Sequence, residues 1–225
     1  MTTAEHFSEP SSDPPTRGFL HRPESASGDS LILTHGAGGN AQTALLAALA
    51  EAFAGAGFAV LRCDLPFRQQ RPYGPPRPGD AVRDREGLKH AAAAMRKLFS
   101  GHLFLGGQSY GGRQASMLVA DGMGAEQKPL ADGLLLLSYP LHPPSHPEKP
   151  RTQHLPKIEV PVMFVHGTHD PFGTLDEIES ARKLISARTL LLPVEGAGHD
   201  LGFAGKKKRE DLPLLVLEKF QEFFS

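Results

Sequence analysis

Cysteine is almost missing from this chain: Cys63 is the only one in 225 residues. An intrachain disulfide is therefore excluded, and a lone thiol suits a reducing compartment. Charge of one sign is not in surplus either. The formal net charge is −1, which gives no electrostatic reason to expect nucleic acid or an acidic membrane surface as a partner. No apolar run approaches the ~20 residues that span a bilayer. Residues Met1 to Ser12 lack the basic and apolar regions of a secretory signal. The expectation is a soluble cytoplasmic protein with no nucleic-acid or membrane partner. Oligomeric state is left open.

What is present points to one domain with a sizeable core. Residues 1–17, polar and rich in Pro and Ser, are expected to be a flexible arm, and 18–225 a single domain. Leu31–Thr34, Phe58–Leu61, His102–Leu105, Gly133–Leu137, Val162–Val165 and Thr189–Leu192 are short apolar runs. Between them lie stretches with helical spacing, such as Leu45, Leu49 and Phe53, or Leu88, Ala92, Met95 and Phe99. Strands alternating with helices predict a mainly parallel sheet covered by helices on both faces. Thr174 and Glu177 fit a capping box. Asp80 is expected to cap the helix that carries Leu88, and Pro66–Pro78 to be an irregular loop. Pro140–Pro161 contains seven prolines in all, too many for a helical lid, and is expected to run extended over the surface.

One pentapeptide carries chemistry. Gly107-Gln108-Ser109-Tyr110-Gly111 fits G-x-S-x-G, placed between a buried strand and a helix with small residues on its first turn. Such a turn holds the serine in a strained conformation that exposes its hydroxyl, so side chains two positions either side would collide. In an open parallel sheet, ligands bind at the carboxyl ends of strands. Any partners of Ser109 should then follow later strands. Val162–Val165 leads into His166-Gly167-Thr168-His169-Asp170, and Thr189–Leu192 into Gly196-Ala197-Gly198-His199-Asp200. The order Ser109, Asp170, His199 is that of α/β-hydrolase triads. Ser109 needs a base to take its proton, His199 can act so near neutral pH, and Asp170 would orient the imidazole. Backbone N–H groups of Tyr110 and Ala37 would meet the oxyanion, Ala37 lying in the glycine-rich loop His35–Gly39.

Each assignment has a plainer rival. Ser109 could be an ordinary turn serine, and Asp176 competes with Asp170 but fits the first turn of a helix better. His166 and His169 compete with His199, yet both sit on the strand or loop of Asp170 itself. His35 is read as fixing its glycine loop by hydrogen bonds, Asp200 as a solvated neighbour and Cys63 as a buried inert thiol. Lys206–Arg209 is read as a solvated loop face. Arg68, Arg71 and Arg77, in a loop with no acid between Asp64 and Asp80, are candidate substrate-binding cations at the mouth, with Arg151 opposite.

The motifs Thr34–Gly39, Gly106–Arg113, Tyr139–Pro144 and Gly167–Gly173 resemble those of a small bacterial group of α/β-hydrolases of the dienelactone-hydrolase-like kind. That group is related to the hydrolase-like domain in a subunit of the non-specific-lethal histone acetyltransferase complex. The resemblance covers 31–224. It implies an α/β-hydrolase fold without a large lid domain and the triad Ser109, Asp170 and His199. A serine stands where dienelactone hydrolases use a cysteine. The expected activity is cleavage of a small carboxylic ester or thioester through an acyl-enzyme, with no metal and no cofactor. The alternative is a non-catalytic hydrolase-fold binding or scaffold protein.

Overall fold

The computed structural model describes residues 4–122, 129–204 and 209–225. Along them run β1 (Ala4–Glu9), β2 (Thr16–His21), β3 (Ser30–Thr34), α1 (Ala44–Gly55), β4 (Ala59–Cys63), α2 (Pro66–Gln70), α3 (Asp80–Leu98) and β5 (Leu103–Gln108). They are followed by α4 (Tyr110–Ala120), β6 (Gly133–Leu137), β7 (Val162–Gly167), α5 (Leu175–Arg182), β8 (Thr189–Val194) and α6 (Leu212–Phe224).

The strands form one eight-stranded sheet in the order β1-β2-β4-β3-β5-β6-β7-β8. From β4 through β8 every pairing is parallel; β1 and β2 are antiparallel additions at one edge. Parallel strands are buried on both faces, which is why β3, β4, β6 and β7 consist of fully buried residues. Successive side chains alternate between the faces. Leu31 and Leu33 join α1 and α6 through Leu45, Leu49, Phe53 and Phe220. Ile32 faces the other layer, where α3, α4 and α5 contribute Leu88, Met95, Leu118 and Ile178. After β3 the chain moves to one side for β4, then returns across β3 to begin β5. The strand order thus reverses between β3 and β5, and their carboxyl ends flank the crevice where open α/β sheets bind ligands.

Four expectations need correction. The flexible arm is, from Ala4 onward, the outer strand of the sheet, paired with β2 from Ala4↔His21 to Glu9↔Thr16. Backbone ladder bonds hold this mostly exposed strand, so its side chains carry little periodic signal. Pro66–Pro78 is not wholly irregular: it opens with α2, because proline at a first helical position sacrifices only an N–H that has no intrahelical partner. The cap of α3 is Gly79, at φ 94°. Asp80 instead opens the helix and accepts from Arg77 N and Arg71 Nη2, both at 2.6 Å. The proline-rich segment carries no α-helix, as expected, only a 3-10 turn at Leu155–Lys157. It does not lie simply on the surface, however: Leu141, Leu155, Ile158 and Val160 anchor it in the core.

The capping box at Thr174 and Glu177 forms in full. Cys63 is buried and unpaired, and burial pushes its thiol pKa up. Lys206–Lys208 lie outside the described residues, while Arg209 pairs with Asp211 and donates to Glu195 O. Among the described residues no helix is long and apolar enough to cross a membrane.

Candidate active site

Ser109 ends the turn from β5 into α4. Its backbone sits at φ 52°, ψ −117°, a conformation an L-residue adopts only at a cost of ~1–3 kcal/mol. The glycines beside it are required by their neighbours. A Cβ on Gly107 would strike the Thr34 hydroxyl and come within 2.8 Å of Gly112 N, and one on Gly111 would strike the same hydroxyl and come within 2.6 Å of His35 O. Side chains are therefore excluded both by the end of β3 and, at Gly107, by the backbone of Gly111 and Gly112 across the turn.

Three distant segments meet at this serine. His199, on the loop after β8, places Nε2 2.8 Å from Ser109 Oγ. Its Nδ1 lies 2.8 and 3.0 Å from the two carboxylate oxygens of Asp170, on the loop after β7. Asp170 is buried, and its Oδ1 also accepts from Phe172 N at 2.9 Å. A carboxylate accepting at Nδ1 keeps the proton there and leaves Nε2 free to accept from Ser109. The Phe172 ring stacks on His199 with centroids 4.1 Å apart and planes 28° apart, so the imidazole is held from one face and one edge.

The rivals are used elsewhere. His169 is exposed. His166 is buried, donates from Nε2 to Gly173 O at 2.8 Å and so braces the loop that carries Asp170. Burial holds its pKa below the usual histidine range, which keeps it neutral. Asp176 is exposed in the first turn of α5. Asp200 caps its own turn through Gly202 N and Ala204 N. A second serine–histidine contact, Ser116 Oγ to His154 Nε2 at 2.8 Å, is a packing contact. Ser116 is fully buried within α4 and also donates to Arg113 O. Burial and then Arg113 push the His154 pKa down to about 4, and no carboxylate among the described residues meets its other nitrogen.

On the opposite side lies the glycine loop after β3. His35 is fully buried. Its Nε2 accepts from Leu65 N at 3.1 Å, so Nδ1 carries the proton and donates to Gly36 O at 2.8 Å. A Cβ on Gly36 would lie 3.5 Å from that of Ser109, which measures how closely the loop approaches. The Ala37 N–H donates to no acceptor among the described residues, and the Tyr110 N–H, first in α4, has no intrahelical acceptor. Both residues line a cleft of about 810 Å³ together with Ser109, Gln108, Phe172 and His199.

Arg68 and Arg71 do not line this cleft, which corrects their expected role. Arg68 is buried, and its guanidinium donates to the carbonyls of Gly39 and Ala37 at 2.8 Å, Gly74 at 3.0 Å and Arg71 at 3.1 Å. It is a brace for the glycine loop. Arg71 is committed to Asp80, and Arg77 is exposed. The arginines that do line the cleft are Arg113 and Arg151. Arg151 was expected at the mouth from its proline-rich segment; Arg113 was not, although its place one helical turn after Ser109 could have suggested it. Phe172 lay within the Gly167–Gly173 motif without a role of its own, and Asp84 gave no such signal. Asp84 is fully buried and accepts from Tyr110 Oη at 2.7 Å and Phe67 N at 2.9 Å. Burial raises its carboxyl pKa, and burial together with that bond raises the tyrosine's.

With this geometry in place, comparison with known proteins decides the family: residues 27–216 match the alpha/beta hydrolase domain model. The chain belongs to the alpha/beta hydrolase family. Similar solved structures include an alpha-beta serine hydrolase homologue from Coxiella burnetii, with TM-score 0.74 and 18% identity over 97% of this chain and 98% of that one. A dienelactone hydrolase from Anabaena variabilis gives TM-score 0.74 and 19% identity over 99% and 98%. A serine hydrolase without a lid from Xanthomonas campestris gives 0.70 and 16% over 98% and 94%. At such identities the likeness establishes the fold. Among its described residues this alpha/beta hydrolase has no large lid domain: α4 follows β5 directly, and β6 leads only into the proline-rich segment.

Proposed function

We propose that this alpha/beta hydrolase cleaves a small carboxylic ester or thioester through an acyl-enzyme, with Ser109 as nucleophile, His199 as base and Asp170 as the carboxylate that orients it. The observation that carries the reading is the unbroken hydrogen-bonded chain from buried Asp170 through His199 to Ser109 at the crevice. Ser109 Oγ attacks the carbonyl carbon while His199 Nε2 takes its proton, and Asp170 stabilises the imidazolium. The oxyanion accepts from the N–H groups of Ala37 and Tyr110. The imidazolium then protonates the leaving alcohol or thiol as its bond to the acyl carbon breaks. Water, deprotonated by His199, attacks the acyl-enzyme, releasing the acid and restoring Ser109. A binding or scaffold role would give no reason to hold Ser109 in a strained conformation beside two unpaired N–H groups. A cytoplasmic setting, in which the lone thiol of Cys63 stays reduced, belongs to the same proposal.

The test is covalent. A fluorophosphonate should label the protein at one residue, with mass spectrometry placing the adduct on Ser109. A panel of short-chain esters and thioesters should be turned over with an initial burst of leaving group. Absence of both label and turnover would remove the reading.

The brace at Arg68 gives a further expected outcome. Arg68→Met removes every bond that ties α2 to the carbonyls of Ala37 and Gly39, so Ala37 N–H should drift from the position where the oxyanion forms. A misplacement of about 1 Å costs on the order of 10²-fold. The loss should fall on kcat more than on KM, because the contact is made in the transition state. An unchanged kcat would show that the loop holds its shape without the arginine.

A further inference from the structure

Two guanidiniums line the cleft beside Ser109, and they come from separate parts of the chain. Arg113 follows Ser109 by one turn of α4, its N–H donating to Ser109 O at 3.0 Å. Its side chain lines the same cleft as Ser109. Arg151 belongs to the proline-rich segment after β6, held there by Arg151 N to Leu141 O at 2.7 Å and by Tyr139 Oη donating to Arg151 O at 2.7 Å. The segment that could have been a lid is thus the element that delivers a cation to the mouth.

Neither arginine has the partner its charge calls for. Among the described residues no carboxylate forms an ion pair with either one, whereas Arg71, Arg85, Arg96 and Arg182 all have one. Among the described residues Arg113 Nε is buried with no hydrogen-bond partner, and the neutral Tyr139 hydroxyl beside its guanidinium offers no counter-charge. Arg151 Nη1 makes one bond, to Pro140 O at 3.2 Å. Burial, and after it the neighbouring Arg113, lower the pKa of Arg151, as expected of two cations brought close together without a counter-ion. Of the residues lining the cleft Asp200 carries a carboxylate, but both its oxygens already accept from turn N–H groups. Two half-buried like charges on the lining of one cleft repel each other. An anion between them would offset that repulsion, and planar guanidiniums present paired donors that match a carboxylate.

We infer that Arg113 and Arg151 form a carboxylate-binding subsite, so that the substrate is a small ester or thioester bearing a second, free acid group. This rests on the hydrolase reading above; of the cations expected at the mouth it keeps Arg151, and it replaces Arg68, Arg71 and Arg77 with Arg113.

Two matched pairs of esters test it. The mono-p-nitrophenyl ester of adipic acid against its methyl-capped analogue places the charge on the acyl side. 4-Acetoxybenzoate against its methyl ester places it on the leaving group. At low salt one of the charged esters should exceed its neutral partner in kcat/KM by about tenfold or more, the effect of a charge-assisted hydrogen bond. The advantage should shrink as salt is added. In Arg113→Gln and Arg151→Gln the ratio of charged to neutral kcat/KM should fall toward one, mainly through KM, while Arg71→Gln leaves that ratio as it is. Fluorophosphonate labelling of each variant reports that its site is still assembled. Equal rates within both pairs, from a protein that still labels at Ser109, would overturn the subsite and leave the hydrolase standing. Collapse of the ratio in Arg71→Gln but not in Arg113→Gln would overturn it too. A protein that neither labels nor turns over would overturn the hydrolase reading and the subsite with it.

Discussion

Ser109→Ala should abolish turnover, with kcat falling on the order of 10⁶-fold, and should leave the protein folded. The hydroxyl contributes one side-chain hydrogen bond, to His199 Nε2, whereas the turn is held by the sheet and by Ser109 N to Leu137 O at 2.8 Å, which alanine keeps. His199→Ala should cost about as much, and the double variant no more than either single one, because nucleophile and base act as a unit. The residual rate over water would come from the N–H groups of Ala37 and Tyr110 and from binding. Steady-state kinetics on one ester, with thermal melts as the control for folding, check all three. His169→Ala is the discriminating comparison: His169 is exposed and should lose little. A loss equal to that of His199→Ala would assign the base to the wrong histidine, and fluorophosphonate labelling surviving in Ser109→Ala would assign the nucleophile to the wrong serine.

Asp170→Asn should cost about 10⁴-fold in kcat while the melting temperature changes little. The side chains are nearly the same size, and the amide oxygen can still accept from Phe172 N. What changes is the direction of the bond to His199. An amide N–H₂ facing Nδ1 makes that nitrogen the acceptor and moves the ring proton to Nε2. Nε2–H then donates to Ser109 Oγ and can no longer take its proton. Asp170→Ala should differ by also losing stability, since it leaves Phe172 N and His199 Nδ1 without their buried acceptor. If Asp170→Asn kept most of the activity, the carboxylate would be serving the loop rather than the imidazole.

Local constraint explains what was legible. Gly107 and Gly111 are held free of side chains by the backbone of the turn and by the end of β3, and that demand leaves a fixed glycine spacing about Ser109 that could be found from five residues. The parallel core was equally plain, because strands buried on both faces must be apolar throughout. Order along the chain then placed Asp170 and His199 after the last two parallel strands. Elements stabilised by backbone bonds read poorly: β1 is exposed along most of its length, and α2 begins on a proline that read as a breaker.

Arginines were the least legible residues of all. Arg68, Arg71, Arg113 and Arg151 carry the same guanidinium and differ only in what surrounds it. Four carbonyls occupy Arg68, Asp80 occupies Arg71, and Arg113 and Arg151 face the cleft. The sequence by itself determined the sheet, the serine turn and the order of its partners, because these show as hydrophobic pattern, as a fixed glycine spacing and as order along the chain. Only the tertiary structure decided which aromatic ring stacks on His199 and which arginines line the cleft without a carboxylate partner. Those outcomes depend on which segments, from 29 to 90 residues apart along the chain, the parallel crossovers bring to one edge of the sheet.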